Sequence, residues 1–298
     1  MFQIRSVLSQ LHLIGQKKTS TSEAAHASGT TPVRARIWEV DSWRGVAIIT
    51  MIIFHLVYDL RAYGGMPIVL HQGFWFYFQR FTAISFIALS GVSVVLSYSR
   101  TLAASGSVDG LGWKIVRRGL HVLGIGMIFT VVMRLGGFAR IDFGVLHLIG
   151  TSIFCSIPFL KLAAVGDHAD GKGGGRSYSW LILAAAGVLY ALSYLLKYLD
   201  VQAPDGVFWL VPLGIEPPGY YYADYFPFVH WFAVFLIGLY LGAVLYQGGV
   251  RRWPLPNLER VFPFPLLQRL GRHSLVIYVV HQPVLIGLLL LTGTITLG

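Results

Sequence analysis

The sequence predicts an all-α membrane protein, a polytopic bundle of about seven transmembrane helices with its N-terminus inside and its C-terminus outside. Three observations predict it. Hydrophobic residues make up 55% of the 298 residues and charged residues only 12%, about half the charged share of a typical soluble domain. The mean hydropathy is +0.65. The few charges leave long runs free of Asp, Glu, Lys and Arg, at 45–58, 81–99, 119–133, 143–160, 177–196, 225–250 and 273–298. With its flanks, each run approaches the roughly 20 apolar residues that cross a bilayer. This composition excludes soluble and disordered classes. The 34 glycines follow no period, and the single Cys155 forms no internal disulfide.

Residues 1–35 come first. They turn Ser/Thr/Ala-rich after Lys17 and Lys18 and lack the apolar core of about 7 to 15 residues that marks a signal peptide. We read them as a disordered or surface-lying cytoplasmic tail ahead of one transmembrane domain over 36–298. Helices are expected near 43–61, 74–98, 115–135, 142–162, 178–198, 228–247 and 271–292; the first and third borrow polar flanks. The Gly-rich stretch 166–177 reads as a flexible linker. The apolar stretch 206–215 is too short to span and reads as an interfacial or re-entrant piece.

Basic residues set the orientation. Residues 1–44 and the connections 99–118, 161–177 and 248–272 hold 18 of the 23 Lys and Arg. Cationic loops stay cytoplasmic, which gives N-terminus in and C-terminus out over seven spans. The net charge of +10 then faces anionic lipid, and nucleic acid is not needed as a partner.

Ionisable groups at membrane depth are costly and mark function. His55, Arg80, His147, His230 and His281 fall in the outer halves of five helices, with Asp59, Asp142 and Asp224 near the outer ends. Asp59 follows His55 at i+4, on one helical face; a carboxylate beside an imidazole fixes its tautomer and raises its basicity, as a general base requires. Arg44 lies 11 residues earlier, about 16 Å towards the cytoplasm. That spacing permits a donor and an acceptor arriving from opposite sides. Tyr278 and His281 share a face at i, i+3, and Pro283 removes a backbone hydrogen bond beside them. Arg80 also suits snorkelling to the interface. His121 reads as packing, His71 as solvated in an outer loop, and Arg117, Arg118, Arg251 and Arg252 as topology determinants. No metal-ligand spacing, phosphate loop or nucleophile elbow is present.

These residues fall in a familiar order. Asp41-Ser-Trp-Arg44-Gly45 with Met51-Ile-Ile-Phe-His55 resembles the first helix of integral membrane acyltransferases, and the ten-residue gap from Arg44 to His55 is similar to that of acyltransferase-3 type sugar O-acetyltransferases. The finer resemblance is to bacterial members of the heparan-alpha-glucosaminide N-acetyltransferase catalytic-domain family. It includes Phe86-Ile-Ala-Leu-Ser90-Gly91-Val-Ser93, Asp142-Phe143-Gly144-Val-Leu146-His147, Asp224-Tyr-Phe-Pro227-Phe-Val-His230-Trp231 and Gly271-Arg272-His273-Ser274 through Tyr278, His281, Gln282 and Pro283, over about 36–292.

The resemblance implies transfer of an acetyl or other acyl group from cytosolic acyl-CoA, as donor substrate, to a glycan-like acceptor on the extracytoplasmic side of a bacterial inner (plasma) membrane. Arg44, with Arg118 and Arg272, would hold the CoA phosphates. His55, oriented by Asp59, would be the base; Arg80 or Tyr278 would stabilise the oxyanion; His147 and His281 would line the pocket or relay protons. The lysosomal member of the family has asparagine at the position of His55 and its catalytic histidine in the region of His71, so His71 stands beside His55 as a candidate base. Tyr220, Tyr221, Tyr222 and Trp231 suit either a sugar ring or an interfacial belt. No metal is implied, and a homodimer is compatible with the sequence. A transporter or proton-coupled carrier is the alternative that the same polar layer would serve.

Overall fold

The computed structural model describes residues 37–105, 110–136, 141–168, 178–220, 224–246 and 249–295. The expected tail 1–35, Tyr221 and Tyr222, and most of the linker lie outside them. By chain contacts, Met1–Ile37 and Trp38–Gly298 are separate units, and every element below belongs to the second.

The elements are helical and no strand occurs among the described residues. They are α1 (Trp38–Ala62), α2 (Gly73–Ser105), α3 (Leu111–Leu135), α4 (Val145–Cys155), α5 (Ile157–His168), α6 (Ser179–Tyr198), α7 (Phe228–Leu245), α8 (Phe264–Arg272) and α9 (Ser274–Leu291). Six of them, α1, α2, α3, α6, α7 and α9, are long and apolar enough to cross a membrane, and the pair α4 and α5 brings the number to seven if counted as one span. The chain is therefore an all-helical membrane protein with six or seven candidate spans.

The expected helix over 142–162 is broken: α4 and α5 meet at 57°. Pro158 has no N–H to give to the Phe154 carbonyl, which ends α4, while the Ser156 hydroxyl turns back onto the Ile153 carbonyl at 2.6 Å. The expected helix over 271–292 is likewise preceded by a separate one, α8, which carries Arg269 and Arg272 and buries Gln268 and Gly271. The stretch 206–215 does not span; it holds a 3-10 turn, Val211–Leu213, pinned by the Tyr225 hydroxyl to the Val211 carbonyl at 2.7 Å.

The core lies around α7, whose Trp231, Phe232, Phe235, Leu236 and Leu239 are all buried. α7 packs between α2 and α6, α1 packs on α8 and α2, and α3 packs on α4. Two glycine pairs set the closest approaches. A Cβ at Gly91 would meet the Phe235 carbonyl oxygen and one at Gly238 the Ala88 carbonyl oxygen; a Cβ at Gly45 would meet Leu267 backbone and one at Gly271 the Asp41 carbonyl oxygen. Small residues let membrane helices approach where no hydrophobic force joins them. Met127, Ile128, Val131 and Val132 of α3, and Val276, Val284 and Leu288 of α9, are exposed, as lipid-facing side chains are.

Candidate active site

A cavity of about 1900 Å3 runs through the bundle. At one end it is lined by Arg44, Ser93, Arg118, Gly271 and Arg272, along its length by His55, Phe86 and Tyr278, and at the other end by His71, Arg80, Lys197, Glu216 and Asp224.

Arg44 is placed by three elements. Its Nη1 donates to Asp41 Oδ1 at 3.0 Å and its Nη2 to Ser93 Oγ at 2.6 Å; Nη1 also lies 3.5 Å from the Gly271 carbonyl. The same Asp41 carboxylate faces Arg272 Nε at 3.7 Å. Arg118 lines the same wall. One carboxylate thus serves two guanidiniums while a third stands beside them, and this end of the cavity carries excess positive charge. The near contact between α1 and α8 at Gly45 and Gly271 is what brings Arg44 and Arg272 together.

About three turns along α1, His55 lines the cavity and its ring centroid lies 4.8 Å from that of His281 on α9, edge to face. His281 is buried, with Nδ1 2.6 Å from the Tyr278 carbonyl. Asp59 is fully buried and does not bond His55. Its Oδ1 accepts from Gln282 Nε2 at 2.7 Å. The i+4 spacing puts Asp59 on the right face, but the amide on the neighbouring helix takes its carboxylate. His55 Nδ1, Asp59 Oδ2, His281 Nε2 and Gln282 Oε1 are buried with no hydrogen-bond partner. A group of unmet polar atoms like this invites water or a ligand group. Tyr278 lies one turn from His281, ring centroids 5.6 Å apart.

At the other end, the Arg80 guanidinium sits over the Phe76 and Trp231 rings, 5.2 and 5.6 Å from their centroids. His230 Nδ1 lies 3.1 Å from Ser193 Oγ, and its ring 5.0 Å from that of Tyr190. Tyr190, Ser193 and Tyr194 form one face of α6 that the sequence reading missed; aromatic residues near a helix end resemble an interfacial belt, and only their i, i+3, i+4 spacing could have signalled a shared face. Asp224 was also more important than its place near a helix end suggested. Its Oδ2 accepts from the Val145 N–H at 3.3 Å at the start of α4, and burial pushes its carboxyl up to about 6. Tyr220 donates to Asp142 Oδ2 at 2.8 Å.

His147 does not line this cavity. Its Nδ1 accepts from the Gly144 N–H at 3.2 Å, and Nε2 lies 3.3 Å from Thr130 Oγ1, whose own proton goes to the Ile141 carbonyl at 2.7 Å. Both ring nitrogens are engaged in shaping the start of α4. His281 and Asp59 likewise stand just behind the wall, whereas His55, His71, Arg80 and Tyr278 form part of it. Among the described residues, no group of three or more His, Cys, Asp or Glu is arranged to hold a metal ion.

The arrangement joins a cationic end to a pair of imidazoles, His55 half-buried and His281 buried, inside membrane-spanning helices. Among protein families, the one described as heparan-alpha-glucosaminide N-acetyltransferase, catalytic, matches residues 36–283. No curated relative and no solved structure gives a significant match.

Proposed function

Because the chain belongs to the heparan-alpha-glucosaminide N-acetyltransferase catalytic family and is a membrane acetyltransferase, we propose that it carries an acetyl or other acyl group from cytosolic acyl-CoA to a glycan-like amine or hydroxyl on the far side of a bacterial plasma membrane. The observation that carries this reading is that one cavity is lined by Arg44, Arg118 and Arg272 at one end, by His55 midway and by His71 and Arg80 at the other. The basic loops support an N-terminus in the cytoplasm, which puts the arginine end on the donor's side.

Guanidiniums bind phosphate through paired N–H groups, so Arg44, Arg118 and Arg272 hold the CoA pyrophosphate while the thioester reaches along the cavity. The His55 imidazole takes the proton of the acceptor amine or hydroxyl as that atom attacks the thioester carbonyl. The carbon–sulfur bond then breaks, and the proton passes to the departing CoA thiolate. His281 packs against His55 and holds its ring. Tyr278 is better placed than Arg80 to donate to the oxyanion, because Arg80 lies over Phe76 and Trp231 at the acceptor end. Asp59 acts through Gln282, tying α1 to α9, and His147 acts through the start of α4. His71, at the far mouth, meets the acceptor.

The test is incubation of the purified protein with acetyl-CoA labelled in the acetyl group and a cell-envelope glycan extract. Label appearing in a glycan and not in the wild-type protein's absence supports the reading. Release of CoA thiol without any labelled product, or no turnover across acyl-CoA chain lengths, overturns it.

A further inference from the structure

Behind Arg118 lies a second, smaller cavity of about 360 Å3, lined by Lys114, Arg117, Arg118 and His121 of α3 and by Ser97 and Tyr98 of α2. Arg118, His121 and Ile153 line both cavities, so the small one is a side chamber of the large one. Among the described residues no acidic side chain lines it. Among the described residues Lys114 Nζ finds only the neutral Thr101 Oγ1, at 3.2 Å, and neither Arg117 nor Arg118 forms a salt bridge. A topology signal needs cations anywhere near a helix end. Here Lys114, Arg118 and His121 follow one another at i, i+4 and i+7, gathered on one face over two turns. Like charges gathered on one exposed face of α3 repel one another unless an anion joins them.

We propose that this chamber binds the 3′-phosphomonoester of acyl-CoA, with Lys114, Arg117 and His121 as its donors and Arg118 shared with the pyrophosphate next door. The proposal rests on the acyl-CoA reading above. The chemistry fits because CoA carries this second, doubly charged phosphate on the ribose beside the pyrophosphate, and Arg118 is the wall common to the two sites. A lipid phosphomonoester offers the same chemistry, so the test must separate the two sources.

The whole protein is placed in phosphatidylcholine nanodiscs and titrated with acetyl-CoA and with acetyl-3′-dephospho-CoA. Wild type is expected to bind acetyl-CoA about 10- to 100-fold more tightly, the size of one or two charge-assisted hydrogen bonds. The double variant Lys114→Gln, Arg117→Gln is expected to bind both donors with the affinity wild type has for the dephospho form, and Arg117→Lys, which keeps the charge, to retain most of the preference. Equal wild-type affinities, or a preference that survives in the double variant, overturn the proposal. Equal affinities together with phosphatidic acid that co-purifies with wild type and not with the double variant assign the chamber to a lipid headgroup instead. If wild type binds neither donor, the acyl-CoA reading itself fails and takes this one with it.

Discussion

His55 and His71 line one cavity from different elements, α1 and the loop before α2, so substitution can separate them as bases. His55→Ala should lower turnover by about 10²- to 10⁴-fold with little change in donor affinity, while His71→Ala should be mild. Arg44→Ala should act the other way, weakening donor binding by up to a few charge-assisted hydrogen bonds at roughly 1.5–3 kcal/mol each. Steady-state acyl transfer beside CoA-binding titrations checks all three; near-normal His55→Ala with a dead His71→Ala moves the base to the loop. Asp224 makes a separate expectation. Folding raises its carboxyl from the ordinary 3.8 to about 6, so the folded protein holds that proton more tightly than the unfolded chain, and stability contributed by the neutral form is lost as the pH rises through about 6. The melting temperature of Asp224→Asn should stay flatter than that of wild type between about pH 4 and 7, and equal slopes would count against this account. Charged residues inside apolar runs were legible in the sequence because lipid makes them conspicuous. The partner of Asp59 was not, because local spacing reports the face of a helix and Gln282 comes from a helix more than 200 residues further on.

At the scale of elements, the positions of the spans followed from charge-free runs, and their internal breaks did not. The run 143–160 contains no charge, so hydropathy reads through Pro158, although the missing N–H ends α4 there. Helix pairing was hidden for a related reason: glycine is common in membrane helices, and sequence alone does not say which glycines meet a neighbour. The contacts now rank them. Gly271→Ala would push a Cβ onto the Asp41 carbonyl oxygen, prising α8 from α1 at the point where Arg44 and Arg272 meet. Overpacking of this kind costs about 1–3 kcal/mol, and donor affinity should fall more than turnover. Gly287→Ala, where nothing lies within 4 Å, is the control and should leave both stability and donor affinity near wild type. Thermal unfolding in detergent and CoA titration of the two variants check this; equal behaviour removes the packing argument.

For the molecule as a whole, the loop charges make the orientation testable. A reporter active only in the cytoplasm should work when fused after residue 105, 170 or 255 and fail after 66, 138, 205 or 298; activity at 298 would remove the seven-span arrangement. It would also decide whether the bent pair α4 and α5 crosses the membrane. Class and span number were legible because bilayer thickness imposes a length on every crossing. The cavity was not, because its walls come from α1, α2, α3, α4, α6, α7, α8 and α9 together.

That cavity has a bioenergetic consequence. A passage lined from Arg44 to His71, with histidine midway, is the sort of path along which water could pass protons. Each charge leaking down a membrane potential dissipates about 2.3 kcal/mol per 100 mV. A cell that stores energy as a proton gradient tolerates such a passage only if it is stoppered. On the reading proposed above, acyl-CoA held at the arginine end would be the stopper, closing the passage for as long as the acyl group waits.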